Sequence, residues 1–274
     1  MKNVVIVVLG VLVLGVIGVF LTGNSLFAIN ASSVDEEKSF SGGQFSTVEV
    51  YLDAGHVEVT EGDDDKIHVR LTGKDMDLTI DDSGDTLKVR AESEEVFNIK
   101  IPFITGNDDG DRHLEIALPK KEFDKIEVKN EAGKLELGKI EAKKLVVDTK
   151  AGEVTVDGFI GDYAKLSSDA GKIDIKEATG KLDIKTKAGQ INTEIEVLNK
   201  DINIETEAGE VNVDLKKIPE DLKIEAKTTI GKIDANLPDI DFDESSNGTI
   251  VKEIGEGGPV LKIRTTVGKI NLNQ

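Results

Sequence analysis

The chain contains no cysteine and no tryptophan, and only 4% of its 274 residues are aromatic. Without cysteine it can form no disulfide bond, no thiolate nucleophile and no cysteine-ligated zinc or iron–sulfur site. The apolar residues are mostly Val, Ile, Leu and Ala, which favour strands whose side chains stack in a thin interior. The composition therefore favours stacked β-structure over a helical bundle.

Basic residues are also scarce, with 34 Lys and Arg against 53 Asp and Glu, which gives a formal net charge of −19. Nucleic-acid affinity depends on neutralising phosphates with Lys and Arg, so a surface this negative repels phosphate backbones and anionic lipid head groups. The charge argues against DNA or RNA as partners and against binding of the folded part to a membrane surface.

The sequence lacks the G-x-S-x-G elbow, the Walker loop, the H-E-x-x-H zinc motif and the dinucleotide fingerprint. A carboxylate pair for glycoside cleavage stays open, because many acids alternate along the strands. Sugar-cleaving sites usually add aromatic platforms, and the repeat section offers few: Phe123, Phe159, Tyr163 and Phe242. We therefore predict a protein that is not an enzyme, with no catalytic, cofactor-binding or metal-binding residues.

One long apolar run is present, VVIVVLGVLVLGVIGVFLT at 4–22. A helix of this length spans roughly 28 Å, close to the thickness of the bilayer hydrocarbon core. Lys2 is the only charge before it, and Asp35 and Glu36 follow, so the positive-inside tendency places the amino terminus in the cytoplasm. We predict a transmembrane anchor at 1–23, a single-pass protein of the cell membrane, and an extracytoplasmic main domain. A cleavable signal peptide is the alternative, although SLFA and AINA fit a cleavage site poorly.

Residues 24–44 are rich in Ser, Asn, Gly and acids without sustained periodicity, which predicts a flexible tether. The alternative is an ordered first strand that begins near Phe40. Residues 45–120 then alternate apolar and polar residues between Gly, Asp and Ser clusters, which predicts an amino-terminal β cap and first coil. DSGD at 82–85 is typical of a hairpin turn, and the stretch 94–111 is expected to be a loop.

From residue 121 to 274 an Ala-Gly phrase recurs between short alternating strands, as in TKAGEVTV and TEAGEVNV. Its glycines lie at 133, 152, 171, 189, 209 and 231, and a last one follows an insertion at 236–260, at 268. A period near 20 residues with two strands per repeat is typical of a β-solenoid, in which each repeat is one coil stacked on the last. We predict an all-β parallel β-solenoid with coils of about 19–20 residues.

Residues at equal distances from each glycine form columns. Three positions before it lie Asn130, Thr149, Ser168, Thr186, Thr206, Thr228 and Thr265. Four positions before it lie Lys129, Asp148, Ser167, Lys185, Glu205 and Lys227; two before it lie Glu131, Lys150, Asp169, Lys187 and Glu207. Charges in these columns alternate in sign, so in-register parallel stacking at about 4.8 Å would place opposite charges side by side.

The Ala-Gly step itself predicts a corner. Glycine reaches positive φ without the Cβ penalty, and we expect the alanine before it to lie inside the tight arc. The segment LKIRTTVGKINL is expected to form the last coil, with the insertion as a hairpin or flap that closes the open edge of the solenoid.

Candidate ligands are few. His56, His68 and His113 occupy alternating strand positions without a partner at ligand spacing, which favours exposed or edge-strand histidines over metal ligands. The acidic clusters at 63–65 and 107–111 offer oxygen ligands for a cation, but neither matches a known calcium loop, and acidic turns are the simpler interpretation.

The chain resembles a bacterial adhesin-like β-strand-repeat family of undefined function. The resemblance is carried by IALPKKEFDKIEVKNEAGKLEL at 116–137, the recurring Thr-x-Ala-Gly phrase and the terminal GGPVLKIRTTVGKINL. Within that family it is similar to LiaG-type membrane proteins found with cell-envelope stress operons of Gram-positive bacteria. The resemblance implies a scaffold or interaction surface in the envelope, with an envelope protein or cell-wall glycan as partner. A polysaccharide-binding or -modifying protein and a cation-dependent adhesin are the alternatives.

Overall fold

The computed structural model describes residues 33–93, 112–238, 240 and 248–274. The predicted membrane anchor, the loop at 94–111 and, within the insertion at 236–260, residues 239 and 241–247 lie outside these residues. The described part is all-β and forms one sheet of thirteen strands with a single short 3-10 turn at Gly42–Gln44. It contains no helix with the length and apolar character needed to cross a membrane.

The amino-terminal strands are β1 (Ser33–Ser41), β2 (Thr47–Glu61), β3 (Lys66–Lys74), β4 (Met76–Asp81), β5 (Thr86–Ser93) and β6 (His113–Leu118). The repeats form β7 (Phe123–Ile160), β8 (Tyr163–Ile175), β9 (Lys181–Ile195), β10 (Ile202–Leu215) and β11 (Leu222–Asn236). The chain ends with β12 (Thr249–Ile254) and β13 (Val260–Asn273).

Each repeat bends at its glycine into two arms, and the long strand β7 contains two such repeats, with Gly133 and Gly152. In β9 the first arm precedes Gly189, which holds a φ of 145°, and the second arm follows it. Gly189 pairs in parallel with Gly209 of β10, and Thr186 pairs with Thr206. The same glycine-to-glycine register joins β7 to β8 and β8 to β9. The parallel, in-register stacking predicted from the columns is therefore confirmed.

The core lies on the inward face of both arms. Period-two alternation places Leu182 and Ile184 of the first arm, and Ile191 and Ile195 of the second arm, at 1% exposure or less. These side chains belong to one continuous apolar cluster that runs through the whole stack. Because every coil contributes the same few aliphatic side chains, the interior stays thin and needs almost no aromatic residue.

The amino-terminal region contains a coil made from two separate strands. The first arm of β2 pairs in parallel with β5, and its second arm pairs in parallel with β6. The chain positions 94–111 therefore separate the two arms of this coil, and the second arm begins where the backbone N–H of His56 donates to the carbonyl of Arg112 at 2.8 Å. The antiparallel hairpin expected around 82–85 is present as β4 and β5, and β3 adds antiparallel to β6.

The tether predicted at 24–44 is wrong for its second half. Residues 33–41 form β1, which pairs antiparallel with β3 from Ser33 opposite Lys74 to Ser41 opposite Lys66. The alternating pattern is weak here because β1 is an edge strand, and most of its residues are exposed on both faces. Pairing with β3 holds these residues in an extended strand, which their local sequence pattern does not predict.

The order of the last coils also differs from the expectation. The segment LKIRTTVGKINL is β13, and it does not form the end of the stack but lies between β10 and β11, parallel to both. β11 is thereby displaced outward, and β12 from the insertion pairs antiparallel with its first arm. This position buries Leu261, Ile263, Ile270 and Leu272 between two coils instead of leaving them against one.

Candidate functional site: the corner groove

The corners are built by glycine and by the hydroxyl three positions before it. An added Cβ on Gly171 would lie 1.8 Å from the carbonyl oxygen of Gly152, and the same direct stacking recurs along the column. The hydroxyl of Thr186 donates to the carbonyl of Ala188 at 3.3 Å, and Ser168 donates in the same way to Ala170 at 3.2 Å. The hydroxyls of Thr149, Ser168 and Thr186 therefore each satisfy a backbone oxygen where the strand bends.

The alanines of the corners do not lie inside the arc, and that prediction is wrong. Ala170, Ala188 and Ala208 are exposed. The residue before each alanine is skipped in the paired register, so the backbone bulges and turns two successive side chains outward. The outward step leaves a furrow between those side chains and the rest of the first arm.

This furrow is a groove of about 650 Å³, which we call the corner groove. It crosses β8, β9, β10, β13 and β11, about 19 Å at the usual strand spacing. One wall is formed by Ser167, Lys185, Glu205, Arg264 and Lys227, and the facing wall by Asp169, Lys187, Glu207, Thr266 and Thr229. The column of buried hydroxyls forms its floor, with Ser168, Thr186, Thr206 and Thr265.

Ion pairs between coils fix most of the charged walls. Lys187 contacts Asp169 at 2.8 Å, and Lys185 contacts Glu205 at 3.1 Å. The hydrogen bond to Glu205 raises the pKa of Lys185, and the hydrogen bond to Asp169 raises the pKa of Lys187. Both lysines therefore stay charged at neutral pH and are held in register with the carboxylates of the neighbouring coil.

Two floor hydroxyls differ from the others. Thr206 and Thr265 are 5% and 4% exposed, and neither hydroxyl has a hydrogen-bond partner in the described part of the chain. A buried hydroxyl without a partner costs free energy, so such groups are usually satisfied by water or by a ligand. Both lie in the half of the groove formed by β10 and β13.

A second cavity of about 530 Å³ lies over the outer face of the second arms. Its centre is a ladder of amides: Asn212 donates to Asn192 at 2.8 Å, and Asn192 donates to Asp174 at 2.5 Å. Asn271 of β13 donates to Asn212 at 2.5 Å and continues the ladder. The amides bind each other, so this surface is a stabilising feature before it is a binding site.

The histidines are less isolated than the sequence indicates. The rings of His56 and His113 stack with centroids 4.4 Å apart, because their two strands pair in register. Carboxylates surround them: Glu136 lies 2.7 Å from His56, and Glu58 lies 3.3 Å from His113. This pairing depends on β5 and β6 being two arms of one coil, which the interrupted sequence conceals.

The third histidine and the acidic cluster at 63–65 contact each other. His68 Nε2 lies 3.0 Å from the carboxylate of Asp64, which also accepts a hydrogen bond from the backbone of Lys66. These bonds lower the pKa of Asp64, with the backbone bond of Lys66 as the larger cause. In the described ranges no three His, Asp or Glu side chains are grouped so as to hold a metal ion, and the cluster at 107–111 lies outside them.

The groove itself was not predicted from the sequence. The columns that form its walls predict the register of the coils. They do not by themselves predict that the backbone turns the corner alanine outward. A signal was present in the spacing, because Thr186 and Ile191 are both buried although they lie five positions apart. Strict alternation would place these two residues on opposite faces, so the corner between them must contain a break in the alternation.

The model of the Toastrack DUF4097 family matches residues 45–161 and 129–273. Among solved structures, a candidate adhesin from Bacteroides fragilis is 13% identical, covering 89% of this chain and 99% of that one, with a TM-score of 0.45. A candidate cell-adhesion protein from Clostridium sporogenes is 14% identical over 89% and 100% of the two chains, with a TM-score of 0.37. A candidate lipid-binding protein from Parabacteroides distasonis is 12% identical over 89% and 98%, with a TM-score of 0.36. No curated protein matches significantly.

Proposed function

Because the chain belongs to the Toastrack DUF4097 family, whose repeats stack here into a ladder of coils, we propose that it is a non-enzymatic scaffold of the cell envelope. The corner groove is its contact surface for an extracytoplasmic partner. The groove carries this proposal because its volume of about 650 Å³ extends across five strands, and two buried hydroxyls on its floor have no partner among the described residues.

The chemistry of the groove suits contact with an extended polar chain. Hydroxyl, ammonium and carboxylate groups repeat at each coil, so a ligand lying across the coils meets a similar set of groups at every step of about 4.8 Å. The ion pairs between coils hold these side chains in place, which lowers the entropic cost of ordering them when a ligand binds. Affinity would therefore come from several weak contacts along one rigid surface.

Location completes the proposal. The apolar run at 4–22 anchors the protein in the cell membrane of a Gram-positive bacterium, with the amino terminus in the cytoplasm and the coils outside. The similarity to LiaG-type proteins supports a place in the envelope-stress response. A cell-envelope protein or a cell-wall glycan is the partner class that such a position makes available.

Site-specific photocrosslinking in intact cells tests this function. The full-length chain carries a photoreactive amino acid either at Thr229, on the groove wall, or at Lys144, exposed on the first arm of a coil outside the groove. We expect a discrete crosslinked partner from position 229 and none from position 144. Identical crosslinking patterns at the two positions, or none at either, would contradict the groove as the contact surface.

The amide ladder supports a second candidate, a polysaccharide-binding protein. Asn and Asp side chains pair well with sugar hydroxyls, and Asn192, Asn212 and Asp174 line the cavity of about 530 Å³. A glycan array tests it: retention of a cell-wall glycan by the native chain, and loss on Asn192→Ala, would favour this candidate. No feature of the cluster at 63–65 favours a cation-dependent adhesin, because Asp64 is already engaged by His68 and Lys66.

A further inference from the structure

The alternation of charge along the groove fails at one point. On the first wall, Arg264 of β13 lies directly opposite Lys227 of β11 in the paired register. Like charges placed opposite each other on neighbouring strands are destabilising. The carboxylate of Glu205 lies 3.9 Å from Arg264 and already contacts Lys185 at 3.1 Å.

A second pair of cations on the same two strands shows how such a repulsion can be neutralised. Across the corner, Lys269 of β13 lies opposite Lys232 of β11, which is a second pair of like charges. There Asp234 contacts both lysines, with Lys269 at 3.0 Å. Over the described ranges no carboxylate lies within ion-pair distance of Lys227. Among the described residues, Asp234 therefore serves as a counter-ion for both lysines, whereas of the pair in the groove only Arg264 has a counter-ion.

Hydroxyl donors surround this pair of cations. Thr265 is 4% exposed on the floor beside Arg264, and its hydroxyl has no partner within the described residues. The neighbouring Thr228 hydroxyl donates instead to the carbonyl of Gly268 at 3.1 Å. Thr266 and Thr229 are exposed on the facing wall. Two cations and several hydroxyl donors thus converge on one end of the groove.

We propose that this end of the corner groove, between β13 and β11, binds phosphate groups. The inference rests on the groove proposed above as the contact surface. A guanidinium forms paired hydrogen bonds with phosphate oxygens, an ammonium adds a compact charge, and a buried hydroxyl donates to a third oxygen. A phosphodiester-linked polymer and an anionic lipid head group both carry this chemistry.

The proposal revises the expectation drawn from the net charge. A total of −19 repels phosphate over most of the surface. The position of β13 creates the exception, because it brings Arg264 beside Lys227. In chain order the neighbour of Lys227 would be Glu205, which has the opposite charge. Glu207 on the facing wall limits the site to the β13–β11 end, since its carboxylate lies in the next coil.

Fluorescence polarisation with a labelled glycerol-phosphate oligomer tests the site, with the full-length chain in nonionic detergent micelles. We expect salt-sensitive binding that the double variant Lys227→Ser, Arg264→Ser weakens by at least about tenfold. Lys129→Ser with Lys150→Ser is the control, with the same charge change at two lysines outside the groove, four and two positions before their glycines, and should bind as the native chain does. Glu207→Gln should bind more tightly.

Two further measurements accompany the binding assay. The melting temperature of the double variant should equal or exceed that of the native chain, because the variant removes the repulsion between Lys227 and Arg264. Loss of binding then cannot be attributed to unfolding. Phosphatidylglycerol or phosphatidylcholine added to the micelles separates the two sources: competition by the first lipid alone indicates head-group binding, and no competition by either indicates the polymer.

Absence of binding, or equal loss in the matched control, would overturn the phosphate site. The proposed function can survive that result. If crosslinking from position 229 persists in the double variant, the groove is still a contact surface and only the phosphate inference fails.

Discussion

Glycine at the corner serves two physical purposes at once. Gly171 holds a φ of 136°, which strains any other residue, and the place of its missing side chain is filled by the carbonyl of Gly152. We expect Gly171→Val to destabilise the protein by at least about 1–3 kcal/mol, the cost of backbone strain alone. Urea unfolding followed by circular dichroism measures the difference.

Two other glycines separate strain from steric contact. Gly84 has a φ of 80° but nothing within 4 Å of an added Cβ, and Gly43 has open space without a positive φ. The order of destabilisation should be Gly171→Ala, then Gly84→Ala, then Gly43→Ala. An effect at Gly171 no larger than that at Gly84 would show that direct stacking of the carbonyl contributes nothing.

Glu127 makes stability depend on pH. Burial raises its pKa, but hydrogen bonds from Lys125 and Lys129 outweigh that effect and lower it below the usual range. A carboxyl whose pKa is lower in the folded state stabilises the fold above its unfolded pKa and loses this contribution as pH falls through the folded pKa. Native stability should therefore decline below about pH 4.5.

The variant Glu127→Gln isolates that contribution. It should be less stable than the native chain at pH 7, and the gap should narrow as the pH is lowered to about 3. Chemical unfolding at both pH values measures the gap. A gap that is constant across this range would mean that the two lysines do not stabilise the charged form.

At the scale of the strand, the amide ladder couples three coils. Asn212 of β10 donates to Asn192 of β9 and accepts from Asn271 of β13. Replacing it with alanine should cost about 1–2 kcal/mol, because two hydrogen bonds of roughly 1 kcal/mol each are lost. Asn236→Ala, at the exposed end of β11, is the control and should change the thermal midpoint little. Equal effects would exclude a role for the ladder.

The strands could be predicted where alternation is strong. The buried positions of β9 and β10 follow the period-two pattern, and the glycine and threonine columns predicted their register. The outward turn of Ala188 was missed, because apolar character favours burial and the bulge in the bent backbone overrides it. β1 was missed because an edge strand exposed on both faces carries little apolar signal.

At the scale of the molecule, the order of the strands in the stack could not be predicted from the sequence. The phrase around Gly268 fits the register of any coil, so the columns fix how β13 pairs but not which coils it pairs with. The insertion is long enough to let the chain turn back and enter between β10 and β11. The same ambiguity concealed the two-strand coil of β5 and β6, and with it the stacked His56 and His113.

Strand order also determines the candidate site. The floor and walls repeat from coil to coil, but Arg264 and Lys227 lie side by side because β13 and β11 are neighbours. If the coils followed chain order, Lys227 would lie beside Glu205 and continue the alternation of charge. The fold and the proposed phosphate site therefore depend on the same structural claim.

Disulfide trapping tests that claim most directly, because the native chain has no cysteine. Glu210→Cys with Lys269→Cys places cysteines at paired positions of the neighbouring strands β10 and β13, whose backbones lie about 4.8 Å apart. Glu210→Cys with Lys232→Cys places them two strands apart, beyond the roughly 7 Å limit for a disulfide. Mild oxidation should crosslink the first pair and leave the second reduced. Crosslinking of the second pair in preference to the first would contradict the account.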